Sequence, residues 1–309
     1  MDKQNSFNNK KILITGSNGF VGRNLVEKIS EYNCEIYGLG VENTNKNQEI
    51  NYYKCDITEA SKLKEIVLDI KPNYIFNLAA IVTAARDYSL TKKMIDLHLK
   101  TLYDFYEILK GKEFLELLIN FGSTEEYGDY NGEPFKEDFF EKSNSPYGAT
   151  KTAAVHLAYM FGNNEQFPII TVRPGVLFGK YQADNKFIQY VISELKKDNI
   201  LEMTAGEQTR DFIYVLTFID LLLDLIKSNN YVYGEIYNIA SGKSLSLKKF
   251  VLILKEILDS TSEVKFGALQ YRENEIMRFN VSIEKLENIL NKEINISLKE
   301  DIWKYLNNF

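Results

Sequence analysis

The chain has 309 residues, with 37 Lys and Arg against 43 Asp and Glu and a formal net charge of −6. That length suits one large α/β domain, or one with a smaller lobe, and the acidic balance argues against a nucleic-acid partner, which would favour a basic face. No apolar run approaches the roughly 18 residues of a membrane span, the polar segment 1–9 lacks the apolar core of a secretion signal, and the two separated cysteines, Cys34 and Cys55, point to a reduced, cytoplasmic chain.

In chain order, 11–15 (KILIT) reads as a short buried strand, followed by Gly16, Gly19 and Gly22 and then by the apolar helix positions Phe20, Val21, Leu25 and Ile29. Residues 35–39 and 52–55 read as the second and third strands, with a helix over 61–70. A fourth strand, 74–78, ends at Ala79-Ala80, and a long helix covers 94–109. The fifth strand is 117–121, the segment 147–161 is helical, and 169–172 is the sixth strand. Strands alternating with helices predict a parallel, doubly wound Rossmann sheet with right-handed crossovers. After Arg173-Pro174 the pattern loosens into helices over 186–197, 218–226, 247–258, 283–290 and 298–306, with a strand at 236–239. The reading divides the chain into a dinucleotide-binding domain over 1–177, with 213–240 rejoining its sheet. A discontinuous substrate lobe takes 178–212 and 241–309. Ligands of open α/β sheets sit beyond the strands' carboxyl ends, which places the site between sheet and lobe.

Gly16, Gly19 and Gly22 lie between a strand and a helix, where backbone N–H groups can approach a pyrophosphate and the helix N-terminus favours an anion. A plain glycine-rich turn is the bland alternative, but the strand-before, helix-after context favours the cofactor. The fingerprint expects an acid about 20 residues on, bound to the ribose. Here the second strand ends Leu39-Gly40-Val41-Glu42, so the expected position holds Gly40. No arginine follows to grip a 2′-phosphate, although Lys46 is near, and NAD or NADP stays undecided. Asp56 and Ile57, after the third strand, are candidates to frame the adenine; Asp56 as a helix N-cap is the competing reading.

Tyr147 and Lys151 are four residues apart and share a helix face. A phenol with a pKa near 10 is a poor base at neutral pH. A lysine ammonium and an oxidised nicotinamide both favour phenolate, so the tyrosine can move a proton while the nicotinamide moves a hydride. Such a pair also arises by chance on helix surfaces. Its place after the fifth strand of a glycine-loop protein gives it meaning.

Several ordered stretches now carry a resemblance: TGSNGFVG at 15–22, CDI at 55–57, FNLAA at 76–80, FGSTEEYG at 121–128, SPYGATK at 145–151, VRPGVLFGKYQ at 172–182, RDFIYV at 210–215 and YNIASGKSLSL at 237–247. Together they resemble the extended short-chain dehydrogenases/reductases of the nucleotide-sugar epimerase/dehydratase family, over most of the length. The resemblance implies Tyr147 as catalytic acid/base and Lys151 as the residue that binds the nicotinamide ribose and lowers the tyrosine pKa. Ser123 would hydrogen-bond the reacting sugar oxygen, with Thr124 beside it. Gly16, Asn18, Gly19, Phe20, Val21, Gly22, Asp56, Ile57, Leu78, Ala79 and Ala80 would line the cofactor. Arg210 and Arg272 would hold the diphosphate or its ribose, which suits the planar guanidinium fork; surface salt bridges are the alternative. Asn185 and Lys186 would add nucleotide contacts.

Glu125 resembles the glutamate of 4,6-dehydratases and decarboxylases, while the doubled Ser-Thr-Glu-Glu-Tyr-Gly also resembles 4-keto-6-deoxy-mannose reductases. Glu125 and Glu126 as the mere start of a loop is the alternative. Two departures stand out. Relatives that carry Arg-Pro-Phe-Asn are matched here by Arg173-Pro174-Gly175-Val176, and His98 stands where a helix asparagine is usual, as a core residue, a backbone bridge or part of the site. His156 reads as structural, and no constellation suggests a metal.

These features imply an NAD(P)-dependent enzyme acting on a nucleoside-diphosphate sugar by hydride transfer at C4, as a 4-keto reductase or 4-epimerase. The alternative is a 4,6-dehydratase or decarboxylase using Glu125. A non-catalytic dinucleotide-binding protein is the remote alternative, disfavoured by the intact Ser123, Tyr147 and Lys151. Family resemblance also implies a homodimer through the helix after Ala80 and the one carrying Tyr147. Leu97, Leu102, Phe105 and Leu157 would line that face or pack on the sheet.

Overall fold

Strands β1 (Lys11–Thr15), β2 (Glu35–Gly40), β3 (Asn51–Lys54), β4 (Tyr74–Asn77), β5 (Leu117–Phe121), β6 (Ile169–Pro174) and β10 (Ile236–Ile239) form one parallel sheet in the order β10-β6-β5-β4-β1-β2-β3. The computed structural model describes residues 6–47, 50–82, 87–272 and 275–307. The doubly wound sheet expected from the sequence is present, with the order of strands reversing between β1 and β4, where a dinucleotide site forms in such folds. The inner strands β1, β4, β5 and β6 are buried almost throughout, as strands covered by helices on both faces must be.

Two apolar layers sandwich the sheet. On one face α1 (Phe20–Ile29) and α7 (Val215–Ser228) pack through Leu25, Ile29, Phe218 and Leu222. On the other, α2 (Ala60–Ile70), α4 (Thr101–Leu109) and α5 (Pro146–Glu165) pack through Leu63, Val67, Leu102, Phe105, Ala154 and Phe161. The expected helix over 94–109 begins earlier, with α3 (Thr91–Met94), and passes through one π-helical stretch, Ile95–Lys100, before α4. Such wide turns displace a side chain from the regular helical face and often mark functional positions.

Strands beyond those read from the sequence appear in the second half. β7 (Val176–Phe178), β9 (Thr209–Tyr214) and β11 (Ser244–Ser246) make a three-stranded sheet, and β8 (Leu201–Met203) pairs in parallel with β12 (Val264–Phe266). They are three to six residues long, too short for alternation to announce them. α6 (Phe187–Lys196), α8 (Leu247–Ile257), α9 (Glu284–Leu290) and α10 (Leu298–Asn307) complete this part. β7 follows β6 after Gly175, so Val176 is a strand residue paired with Phe212. No helix among the described residues is long and apolar enough to cross a membrane.

Candidate active site

The glycine turn is shaped by close approach. Gly16 has φ of +66°, and a Cβ there would lie 3.2 Å from the Ala79 backbone. A Cβ on Gly22 would lie 2.4 Å from the Gly16 carbonyl oxygen, inside any tolerable contact. The backbone of 16–22 is thus folded tightly against the ends of β1 and β4. Gly16 N–H donates to Leu39 O at 2.7 Å and Ala79 N–H to Thr15 Oγ1 at 3.0 Å, which draws Leu78, Ala79 and Ala80 alongside the turn. α1 starts at Phe20 with Gly19 as N-cap, no side-chain cap and no acid in its first turn. Its orphan N–H groups at Phe20, Val21 and Gly22 are therefore suited to an anion. These residues fit a dinucleotide pyrophosphate: the backbone is close-packed, and no side chain caps the helix end.

Asn18 does something the sequence did not reveal. Its amide donates to Thr44 O at 2.9 Å, and its Oδ1 accepts from Lys46 N–H at 2.9 Å. It fastens the segment after β2 to the glycine turn. Asp56 is not the N-cap of α2, a position held by Glu59. Its carboxylate instead closes a turn, accepting from Thr58 N–H at 3.0 Å and Thr58 Oγ1 at 2.8 Å. Ile57 is buried in the core with Leu39 and Leu63, while Asp56 is exposed at the same strand end.

The second half of the site starts at the end of β5. Ser123 caps the short turn Thr124–Glu126, its Oγ accepting from Glu125 N–H at 3.2 Å, while Glu126 reaches back to accept from Ser123 N–H at 2.6 Å. This is a capping box, which the Ser-x-x-Glu spacing encodes. Glu126 is fully buried and also accepts from Arg173 Nε at 2.7 Å, and Arg173 in turn holds Glu141 at 2.6 Å. Arg173 is itself fully buried and lies 4.4 Å over the Tyr127 ring. Glu126 and Arg173 form a buried ion pair beneath Ser123. Neither was singled out from the sequence; the Ser-x-x-Glu spacing could have signalled the capping box, but not the pairing with Arg173. The Thr124 hydroxyl is also committed, donating to Pro174 O at 3.0 Å.

Ser145 N-caps α5, accepting from Gly148 N–H at 3.1 Å, and Pro146 occupies the first turn. That start places Tyr147 and Lys151 on the buried side of α5, not on a solvent-facing surface. Tyr147 is held in its protonated form: burial raises its pKa, the Glu125 charge adds to this, and a hydrogen-bond interaction with Ser123 opposes both. Lys151 Nζ donates to Phe121 O at 2.6 Å, and burial brings its pKa down to about 8 against the opposing charge of Glu126. In the protein alone burial of Tyr147 outweighs what favours the phenolate, and Ser123 opposes that burial through a hydrogen bond. The Lys151 ammonium is tied to the end of β5.

His98, in the π-helical stretch, bridges three segments. Its Nε2 accepts from Ile81 N–H at 3.3 Å, its Nδ1 lies 2.9 Å from Thr150 Oγ1, and its ring meets Tyr147 edge-to-face at 5.8 Å. Acceptance at Nε2 assigns the proton to Nδ1. Burial and the Lys151 charge push its pKa down to about 3. His156 lies outside this cluster, exposed and 3.4 Å from Glu141.

On the lobe side, Arg210 donates to Thr209 O at 2.7 Å and Ile276 O at 2.8 Å and pairs with Glu275. Burial lowers its pKa, with Glu275 and Glu125 opposing and Arg272 adding to the lowering. Arg272 and Glu125 are thus each within electrostatic reach of Arg210. Neither the sequence pattern nor the resemblance signalled Glu275. Lys186 reaches Val82 O at 3.5 Å across the cleft, next to exposed Asn185. Glu125 is exposed and accepts from Ser145 Oγ at 3.4 Å.

Residues 12–240 match the NAD dependent epimerase/dehydratase family. The chain belongs to that family. It is 27% identical over 312 aligned positions to the CDP-abequose synthase of Salmonella typhimurium, covering 97% of this chain and 99% of that protein. It is 26% identical to the GDP-6-deoxy-D-talose 4-dehydrogenase of Aggregatibacter actinomycetemcomitans, covering 92% of each. Among solved structures, the UDP-glucose 4-epimerase of Thermotoga maritima superposes with a TM-score of 0.85 at 20% identity, covering 96% of this chain and 99% of that one. The dTDP-glucose 4,6-dehydratase of Bacillus anthracis, in complex with NAD, superposes with a TM-score of 0.83 at 20% identity, covering 96% of each. Family membership makes this chain an NAD(P)-dependent enzyme of the extended short-chain type.

Proposed function

We propose that the protein acts on a nucleoside-diphosphate sugar by hydride transfer at C4, as a 4-keto reductase or 4-epimerase. The observation that carries this is the meeting of Ser123, Tyr147 and Lys151 at the carboxyl end of β5, on the same edge of the parallel sheet as the glycine turn after β1. When bound, the nicotinamide supplies or accepts the hydride. Tyr147 gives or takes the proton of the C4 oxygen, Ser123 hydrogen-bonds that oxygen, and Lys151 orients the cofactor ribose with donors beyond the one used on Phe121. A buried phenol kept protonated suits the delivery of a proton to a carbonyl being reduced. Relatives named as a 4-dehydrogenase and a 4-epimerase support position 4.

The lobe of 178–212 and 241–309 would take the nucleotide, with Arg210, Arg272, Asn185 and Lys186 around the diphosphate. For Arg210 this requires exchange of its hold on Glu275. Dehydration is the second reading, and it rests on Glu125, whose charge bears on Tyr147. It has less support because elimination needs a fuller acid/base set than Ser123, Thr124 and Glu125 supply. We also propose a homodimer through α4 and α5. Leu102 and Phe105 face the sheet and cannot serve it, and Leu97 and Leu157 lean on the same core. Exposed Ile95, Tyr103, Tyr159 and Met160 are the apolar side chains that support it. A cytoplasmic setting accords with the free thiols of Cys34 and Cys55.

The test is to denature purified protein, identify the released nucleotide, and assay UDP-, GDP-, dTDP- and CDP-sugars and their 4-keto forms. Tightly held NAD(H) with interconversion of 4-epimers means an epimerase. Oxidation of added reduced cofactor only with a 4-keto sugar means a reductase. Loss of water from a 4-hydroxy sugar would transfer the assignment to the dehydratase, and inactivity on every sugar would end the proposal.

A further inference from the structure

The end of β2 is where a dinucleotide-binding fold recognises the adenosine ribose, through an acid on the strand end or a cation that accepts a 2′-phosphate. In this chain the strand ends at Gly40, which has no side chain to do either. The space that a side chain there would take is filled. A Cβ on Gly40 would lie 2.9 Å from Glu42 Oε2 and 2.6 Å from the Tyr52 hydroxyl. Glu42 has folded back so that its carboxylate lies over the strand end it has just left.

Two contacts hold it there. Tyr52 donates to the Glu42 carbonyl oxygen at 3.0 Å, fixing the backbone. Asn18, in the glycine turn, points its amide at Glu42 Oε2 at 3.5 Å. The same asparagine anchors Thr44 and Lys46, so the whole segment is tied to the cofactor cradle. The cations nearby are differently placed. Lys54 donates to Asn43 Oδ1 at 2.6 Å, and Lys46 is exposed, its backbone rather than its ammonium meeting Asn18. Between Gly40 and Cys55 the sequence has no arginine.

We propose that Glu42, two residues beyond the strand end, supplies the ribose-recognising carboxylate and makes this enzyme select NAD(H) over NADP(H). This rests on the dinucleotide seat in the proposed function. A carboxylate accepts hydrogen bonds from the 2′- and 3′-hydroxyls and repels a 2′-phosphate, so one residue provides both attraction and rejection. Tyr52 and Asn18 act as its positioning residues.

The experiment is equilibrium binding, with no turnover required. Protein freed of co-purified nucleotide is titrated with NADH and with NADPH, following nicotinamide fluorescence at low ionic strength. NADH should bind at least ~10-fold more tightly than NADPH, a discrimination of the size expected for one fixed charge near a phosphate. Glu42→Gln should bring the two affinities within ~3-fold by removing the repulsion. Lys46→Ala should leave the ratio unchanged. Wild-type protein that binds NADPH as well as or better than NADH overturns the proposal without recourse to any variant. So does an unchanged ratio in Glu42→Gln, or selective loss of NADPH in Lys46→Ala. In each of these outcomes a dinucleotide still binds and the proposed function stands, whereas binding of neither nucleotide would overturn both.

Discussion

The two halves of the cleft are built from different material. On the cofactor side, the turn at 16–22 works through backbone: a left-handed Gly16, the absent Cβ of Gly22 and the bare first turn of α1. On the sugar side, side chains carry the geometry: Ser123 over the Glu126–Arg173 pair, Lys151 on Phe121, and Arg210 on Glu275. A backbone device depends on its glycines, and here on the one side chain, Asn18, that ties the turn to the segment after β2. A side-chain device fails wherever one partner is removed, because the other is left buried and uncompensated.

The largest effect should therefore come from the sugar side. Glu126→Gln removes the fully buried partner of Arg173 and leaves Glu141 to hold the charge, and urea unfolding should show a loss of about 3 kcal/mol. Glu126→Gln combined with Arg173→Met should recover part of that loss. If the single variant is as stable as wild type, the side-chain half of the comparison fails. Tyr147→Phe should reduce kcat by at least about 100-fold while binding of dinucleotide is retained. Near-normal turnover would remove Tyr147 from the chemistry.

His98 tests the join between the halves, since it links Ile81 beside the cofactor turn to Thr150 on the helix of Tyr147. Its folded pKa is lowered to about 3 from 6.5, so the unfolded chain takes the proton first as pH falls. Stability from keeping it neutral is present above 6.5 and lost on the way down to about 3. Between pH 7 and pH 5 wild type should lose about 2 kcal/mol more than His98→Asn. Asp211, raised to about 6 by burial, shifts in the opposite sense, but it is common to both proteins and cancels. Identical losses in the two proteins would mean that His98 titrates normally. On the cofactor side, Gly22→Ala must displace the Gly16 carbonyl and should cost about 1–3 kcal/mol of dinucleotide binding, measured by titration. The smallest effect is expected at Glu125→Gln, which should retain activity within about tenfold if the enzyme is a reductase or epimerase. Abolition of turnover would favour the dehydratase.

The same division explains what was legible. The glycines, the strand-helix alternation and the Tyr147/Lys151 spacing are short-range patterns, and each is visible because backbone geometry or helix periodicity demands it. Glu126 and Arg173 are 47 residues apart, and nothing in either neighbourhood names the other; the Ser123-x-x-Glu126 capping box went unread although its spacing is local. Arg210 and Glu275 are separated by 65 residues, and although Arg210 was singled out, nothing signalled its pairing with Glu275. The lobe's short strands escaped for the same reason, since their pairing partners are distant in sequence. Leu102 and Phe105 were open to either a dimer face or the sheet, and of the two alternatives the structure has them packed in the core.

Strand β10 returns to the main sheet only after the chain has passed through β7, β8 and β9. During synthesis β6 is therefore an open edge until residue 239 has left the ribosome, with its unpaired N–H and C=O groups on offer to any other strand. The cleft is thus finished late: the strand that carries Arg173 gains its last neighbour after the whole of the cofactor half has been made. A truncation before β10 should aggregate rather than give a smaller working enzyme.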